Sequence, residues 1–358
     1  MLLSRATLLV LCWLVNPCLY AAPGPKVLFI NPGSAQTDHT GDFWGATSGL
    51  MRAAAEDLDV DLHIDYAQRD RVQMVALLHQ AIKKRPDYLL LVNENGVLDQ
   101  HWPLLERAAI PYFLVNNDLT AALQGRQLRF YLGALCADLA DTGYQMVTAL
   151  LAANHRRPLR LLAIHGDRHS SSSIQRSQGM LQAINQFPGQ IELVHQDYGN
   201  WSEAQAYRVA FALFKRLAPI DAVWAANDPM AFGAVRAARE AGVDVLNHTR
   251  FAGINWDQKP AHVPADYISF GGHMALGSLA LVMLDEHFAG LRDLQSQPQI
   301  TLPISVSNQS AAAKRLMPFM QAGQYSALDF RLLSRRYTAE PLPMRIDSLA
   351  ATLSLEMQ

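Results

Sequence analysis

Seven segments of this 358-residue chain follow an apolar run directly with residues suited to holding a small polar molecule. After VLFI comes a long loop, 32–42, carrying Asp38 and His39 and ending at the adjacent aromatics Phe43 and Trp44. After LV at 114–115 come Asn116, Asn117 and Asp118, and after the run ending at Ile164 comes HGDRHSSSS, which closes on Ser173. Trp201 follows the 191–195 segment, Asn227 and Asp228 follow AVWAA, Asn255, Trp256 and Asp257 follow FAGI, and His273 follows Phe270 and two glycines. Neutral amides and carboxylates beside flat rings suit a hydroxyl-rich, sugar-like ligand, whose hydroxyls pair with the amides while its C–H faces lie on the rings. Singly, an Asn or Asp after a strand is an ordinary turn or helix cap, and a lone Trp is ordinary packing. The signal is the recurrence of one set of residue types at one kind of position.

Those positions gain meaning from the elements between them. Segments 27–31, 60–66, 88–93 and 111–116 read as strands, and 42–58, 72–84 and 100–109 as helices. The alternation then restarts, with strands at 160–165, 191–195, 221–225, 250–255 and 267–270 and helices at 174–185, 202–217 and 228–241. Apolar runs separated by amphipathic stretches are what a parallel sheet covered on both faces requires. A helix at 275–288 and a last strand near 300–306 return toward the first half, and the polar stretch ANHRRP at 153–158 reads as the joint between halves. Open parallel sheets bind ligands outside the carboxyl ends of their strands, which is where the polar and aromatic loops fall.

Half of the residues are hydrophobic, 17% are charged and the formal net charge is −2, a composition that excludes a disordered chain and lacks a nucleic-acid binder's basic footprint. Residues 1–22 combine Arg5, the apolar stretch LLVLCWL, the breaker Asn16-Pro17 and the small pair Ala21-Ala22, the layout of a cleaved secretory signal. An uncleaved anchor and lipidation at Cys18 are the alternatives. Two of the three cysteines lie in that segment, so the exported chain keeps Cys136 alone and holds no internal disulfide. Cys136, among Leu135, Ala137 and Leu139, reads as a small apolar filler.

The stretch 222–242, AVWAANDPMAFGAVRAAREAG, resembles the corresponding motif of the sugar-type, type I periplasmic solute-binding proteins, relatives of ribose-binding protein and of the LacI-type repressor core. FAGINWD at 251–257 and Arg176-Ser-Gln-Gly179 are similar to two further family segments, and the likeness runs from about 26 to 320. It implies an α/β fold of two Rossmann-like lobes with parallel sheets joined by a three-segment hinge, closing on ligand like a clam shell. The implied division is an N-terminal lobe at 23–120 with a return segment at about 275–310, a crossover helix and hinge at 121–157, a C-terminal lobe at 158–274 and a C-terminal extension at 311–358. The implied ligand contacts are Phe43, Trp44, Asn117, Asp118, Ser173, Trp201, Asn227, Asn255 and His273, joined by His39 of the long first loop. Ile174 stands where ribose-type proteins carry a ligand arginine, and Asn255 where they carry an aspartate, which argues against ribose itself. Gly271-Gly-His-Met resembles a LuxP-like subgroup that works beside membrane sensors.

The resulting reading is a monomeric periplasmic binding protein that delivers a sugar-like solute to an ABC permease, with presentation to a membrane sensor kinase or cyclase as the alternative. It involves no cofactor, no metal and no nucleic acid. An enzyme would draw on His165 and His169, yet the sequence carries no H-E-x-x-H, C-x-x-C, G-x-S-x-G or phosphate-loop motif. A repressor would need an N-terminal helix-turn-helix of about sixty residues, and the first strand begins too early for one. The tail after Arg335-Arg336 reads as a surface strap with a short helix or added strand near 349–355.

Overall fold

The pleat of the first strand divides the core of one lobe into two halves. In β1 (Lys26–Asn31), Val27 and Phe29 join one apolar cluster while Leu28 and Ile30 join another. The same split recurs in β3 (Tyr88–Leu91), with Tyr88 and Leu90 against Leu89 and Leu91, and in β4 (Tyr112–Val115), with Phe113 and Val115 against Tyr112 and Leu114. Continuous apolar strands of this kind are stable only when both sheet faces are covered. The structure is a computed structural model that describes residues 24–353 except 37, 39, 120–122, 124, 218 and 304. The proposed signal segment 1–22 and His39 lie outside the described residues.

The first lobe also contains α1 (Phe43–Asp57), β2 (Asp61–Tyr66), α2 (Arg71–Lys84), α3 (Trp102–Ala108) and β5 (Tyr131–Ala137). The second lobe comprises α4 (Leu139–Ala152), β6 (Leu159–His165), α5 (Ser171–Gln186), β7 (Ile191–Tyr198), α6 (Glu203–Arg216), β8 (Ala222–Ala225), α7 (Asp228–Glu240), β9 (Arg250–Ile254) and β10 (Ile268–Gly271). After it come α8 (Leu276–Phe288), β11 (Gln299–Leu302), β12 (Val306–Ser307), α9 (Ala311–Gln321) and α10 (Ile346–Ala351). The first sheet runs β11-β5-β4-β3-β1-β2, all parallel, and the second runs β12-β10-β9-β8-β6-β7, with only β12 antiparallel.

Two elements differ from the sequence reading. Residues 131–137, inside the stretch read as crossover and hinge, form β5 of the first sheet; YLGALCA is poor in β-branched residues and contains Gly133, which weakens its strand signal. The single last strand near 300–306 is two: β11 pairs with β5 in the first sheet, and β12 pairs with β10 in the second. The chain therefore leaves the first lobe at Asp138 and returns at Gly272, and after β11 it adds β12 to the second sheet before α9 packs back on the first lobe, three connecting segments in all.

The C-terminal segment is built onto the first lobe. Phe330, Leu333, Ile346 and Leu349 are buried in the cluster that holds Phe29 and α8. The Phe330 amide donates to Asp57 Oδ2 at 2.7 Å, the Tyr337 hydroxyl donates to the Leu58 carbonyl at 2.8 Å, and Arg336 pairs with the buried Asp285. The strap ends in helix α10 and a backbone bridge between Leu328 and Leu353. Cys136 packs against the cluster holding Leu28, half-buried, and burial together with the Asp118 charge pushes its thiol up to about 12.

Candidate functional site

The carboxyl ends of both sheets open on one cleft. Caps on the helices that follow the strands shape its wall. Ser170 accepts from the Ser173 amide to start α5, and Asn227 Oδ1 accepts from the Met230 amide at 3.0 Å to start α7. The lobes approach closely here: Asn117 Nδ2, from the first, donates to Ser171 Oγ, from the second, at 3.1 Å.

Seven of the sequence-predicted residues line this cleft: Phe43, Trp44, Asn117, Trp201, Asn227, Asn255 and His273. Two do not. Ser173 is buried inside α5, and its carbonyl accepts from Ser177 Oγ; its neighbours Ser170 and Ser172 line the cleft instead. One helical residue turns a side chain by about 100°, which carries position 173 from the cleft to the core. Asp118 is turned into its own lobe, where Oδ1 accepts from the Tyr131 hydroxyl at 2.6 Å and the Leu119 amide at 2.6 Å. Asn116, two positions earlier and at φ 67°, faces the cleft.

The second-lobe wall is organised around Trp201 and Arg176. Trp201 Nε1 donates to Asp167 Oδ2 at 2.6 Å, and its backbone carbonyl accepts from Asn227 Nδ2 at 3.0 Å. Gly166 permits this placement, because a Cβ there would come within 2.3 Å of the indole. Burial pushes the Asp167 carboxyl up, but bonds from the Ser170 and His169 amides, Ser170 and Trp201 outweigh it, so the group sits below its usual range. Arg176 is 4% exposed, donates to the Ala226 carbonyl at 2.5 Å and to His273 Nε2 at 3.1 Å, and lies 5.4 Å from the Trp201 ring centroid. An arginine can only donate, so His273 Nε2 accepts and the proton of the neutral ring sits on Nδ1. Burial, helped by the Arg176 charge, holds His273 well below the usual imidazole range and hence neutral. Phe43 stacks on this imidazole with centroids 4.8 Å apart.

Two charged residues of the first-lobe wall were not picked out from the sequence. Arg69 Nη2 donates to Thr40 Oγ1 at 2.6 Å, and Nη1 reaches Glu94 Oε1 at 3.5 Å. Burial raises the Glu94 carboxyl, which Arg69 partly offsets. Both follow strands, β2 and β3, so the rule that found Trp201 and Asn227 applies to them equally. Arg176 was visible only as a helix-start residue.

A wider crevice opens beside the hinge, where Gly41 and Asp42 of the first lobe meet Asp257 of the second. Gly41, at φ 96°, allows this approach; a Cβ there would lie 2.7 Å from Asp257 Oδ2. Burial, then the Asp228 charge, raises the Asp257 carboxyl well above its ordinary value. Asp228 accepts from the Tyr267 hydroxyl at 2.5 Å, Ser269 Oγ at 2.6 Å and the Asp257 amide at 2.9 Å, and burial raises it to about 6. The histidines considered for catalysis are apart in environment: His165 is buried between Ser177 Oγ at 2.6 Å and Gln196 Oε1 at 3.0 Å, while His169 is exposed. Among the described residues no group of His, Cys, Asp and Glu is arranged to hold a metal ion.

The chain matches the family described as periplasmic binding protein domain over residues 34–259. It is 24% identical over 255 residues to the D-apiose import binding protein of Actinobacillus succinogenes, spanning 69% of this chain and 76% of that protein. It is 22% identical over 218 residues to the galactofuranose-binding protein of Escherichia coli, spanning 59% of this chain and 66% of that one. A solved periplasmic sugar-binding protein from Pseudomonas fluorescens is 32% identical, with a TM-score of 0.78, covering 91% of this chain and 99% of that chain.

Proposed function

The chain belongs to the periplasmic binding protein family, and from that premise we propose that it captures a monosaccharide-sized, hydroxyl-rich ligand in the interlobe cleft and delivers it to an ABC permease. The observation that carries the reading is the convergence of Trp201, Asn227 and Arg176 from one lobe with Phe43, Asn116 and Asn117 from the other on a single cleft. Rings supply flat apolar faces and amides supply paired donors and acceptors, the combination a polyol needs. The relatives named for D-apiose import and for galactofuranose binding support sugars as the ligand class and import as the role.

The mechanism is a population shift. Ligand touches both walls only when the lobes are together, so its differential contacts favour the closed arrangement, which the permease reads. The protein acts on the periplasmic side as a monomer, exported by its first 22 residues, and changes no bond in its ligand. Isothermal titration against a panel of monosaccharides, polyols and furanoses tests the reading. It predicts one saturable site, ligand recovered unchanged, and a melting temperature that rises with ligand concentration. Absence of saturable binding across the panel, or conversion of the ligand, overturns it. A deletion strain that loses uptake of the bound sugar supports transport; retained uptake with loss of a response to that sugar points to a membrane sensor instead.

A further inference from the structure

The charge and hydrogen-bond balance of the cleft narrows the ligand further. Its described lining contains two guanidiniums, Arg69 and Arg176, against one carboxylate, Glu94. Arg69 is answered by Glu94 at 3.5 Å and, from outside the lining, by Asp38 Oδ2 at 3.8 Å from its Nε, an ion pair too long to be a hydrogen bond. Arg176 does not have such a partner: the hydrogen bonds described for it go to a carbonyl and a neutral imidazole. Asp228, the acid whose charge it feels, directs its oxygens to Tyr267, Ser269 and the Asp257 amide and forms no hydrogen-bonded ion pair with it. A buried guanidinium with no carboxylate in contact is costly, and a ligand that places one there recovers part of that cost.

The unpartnered atoms tell the same story. Within this lining four buried side-chain nitrogens have no hydrogen-bond partner among the described residues: Arg69 Nε, Asn116 Nδ2, Arg176 Nε and His273 Nδ1. All four are donors, the last because Nε2 of His273 already accepts from Arg176. A hydroxyl that accepts from such a group must still place its own proton, whereas a carboxylate offers acceptors alone and makes the stronger, charge-assisted bond.

We propose that the ligand is a sugar acid, an aldonate or uronate, whose carboxylate is set against Arg176 while its hydroxyls meet the asparagines. The inference rests on the reading of the cleft as a sugar site. One guanidinium with no carboxylate in contact matches a single negative charge, which favours a carboxylate over a doubly charged phosphate ester.

Matched pairs that differ in the acid group test it by titration calorimetry: D-galacturonate with D-galactose, D-glucuronate with D-glucose, and D-gluconate with D-glucitol. In at least one pair the acid binds tighter by at least about tenfold, and Arg176→Gln abolishes that preference. Asn116→Asp, which adds a carboxylate without removing the buried guanidinium, lowers the acid-to-neutral affinity ratio by at least about tenfold and serves if Arg176→Gln fails to fold. A neutral sugar that binds as tightly as its acid in every pair, or a preference that survives both substitutions, overturns the sugar-acid inference and leaves the binding-protein reading intact. No binding by any member overturns both.

Discussion

Trp201→Ala is the perturbation that bears most directly on the second-lobe wall. The indole is fixed at its edge by Asp167 and backed by Gly166 and the Arg176 guanidinium, so one ring face at most is available to ligand. Covering that face with a sugar ring removes about 60 Å² of apolar surface from water, worth about 1.5 kcal/mol at about 25 cal/mol per Å². Ring stacking adds about 0.5–1.5 kcal/mol. The sum of about 2–3 kcal/mol corresponds to an affinity loss of about 30- to 150-fold. Trp201→Phe keeps a ring but loses the bond to Asp167, and it falls between wild type and Trp201→Ala. Calorimetric titration with the tightest sugar of the panel measures both, with the unliganded melting curve as a check on folding. Wild-type affinity in Trp201→Ala would show that the indole packs the lobe and does not touch ligand.

Three further outcomes follow from particular contacts. Asn227→Ala removes the cap of α7 and the hold on the Trp201 carbonyl, so it lowers unfolding stability by about 1–2 kcal/mol as well as weakening ligand binding; Asn227→Asp, which keeps the capping oxygen, recovers most of the stability in urea titrations. Asp257→Asn stabilises the protein at pH 7 to 8: the raised carboxyl favours folding fully only below the ordinary aspartate value near 4 and loses that contribution as pH rises, so melting curves of variant and wild type converge toward pH 4 and separate above it. A gap that widens on acidification would refute this. Phe330→Ala, at a fully buried position of the strap, costs about 3–5 kcal/mol in urea unfolding with ligand affinity preserved; a cost near zero would mean the strap is not part of the first-lobe core.

The architecture was legible because its strands are continuous apolar runs, and VLFI, YLLL and AVWA carry that signal without help from other parts of the chain. β5 was hidden by its alanines and glycine, since its place in the sheet depends on pairing with β4 on one side and, on the other, with β11, which is distant in sequence. The site was legible at the level of loops and less so at the level of residues. Trp201, Asn227 and Asn255 follow their strands closely and face the cleft, whereas Ser173 and Asp118 sit one or two positions from side chains that do. That difference is set by helix phase and by a single tyrosine hydroxyl, neither of which spacing reveals. The charge balance around Arg176 needed the fold, because its partners Ala226 and His273 are 50 and 97 residues away.

A crystal structure of the protein with its tightest-binding sugar tests the central claim most directly. The account predicts the ligand between Trp201 and the Phe43–His273 stack, with polar contacts from both lobes and an acceptor group within hydrogen-bond distance of Arg176. A ligand seated on one lobe alone, or lodged in the crevice beside Asp257 with the Trp201 cleft filled by packing, would contradict it.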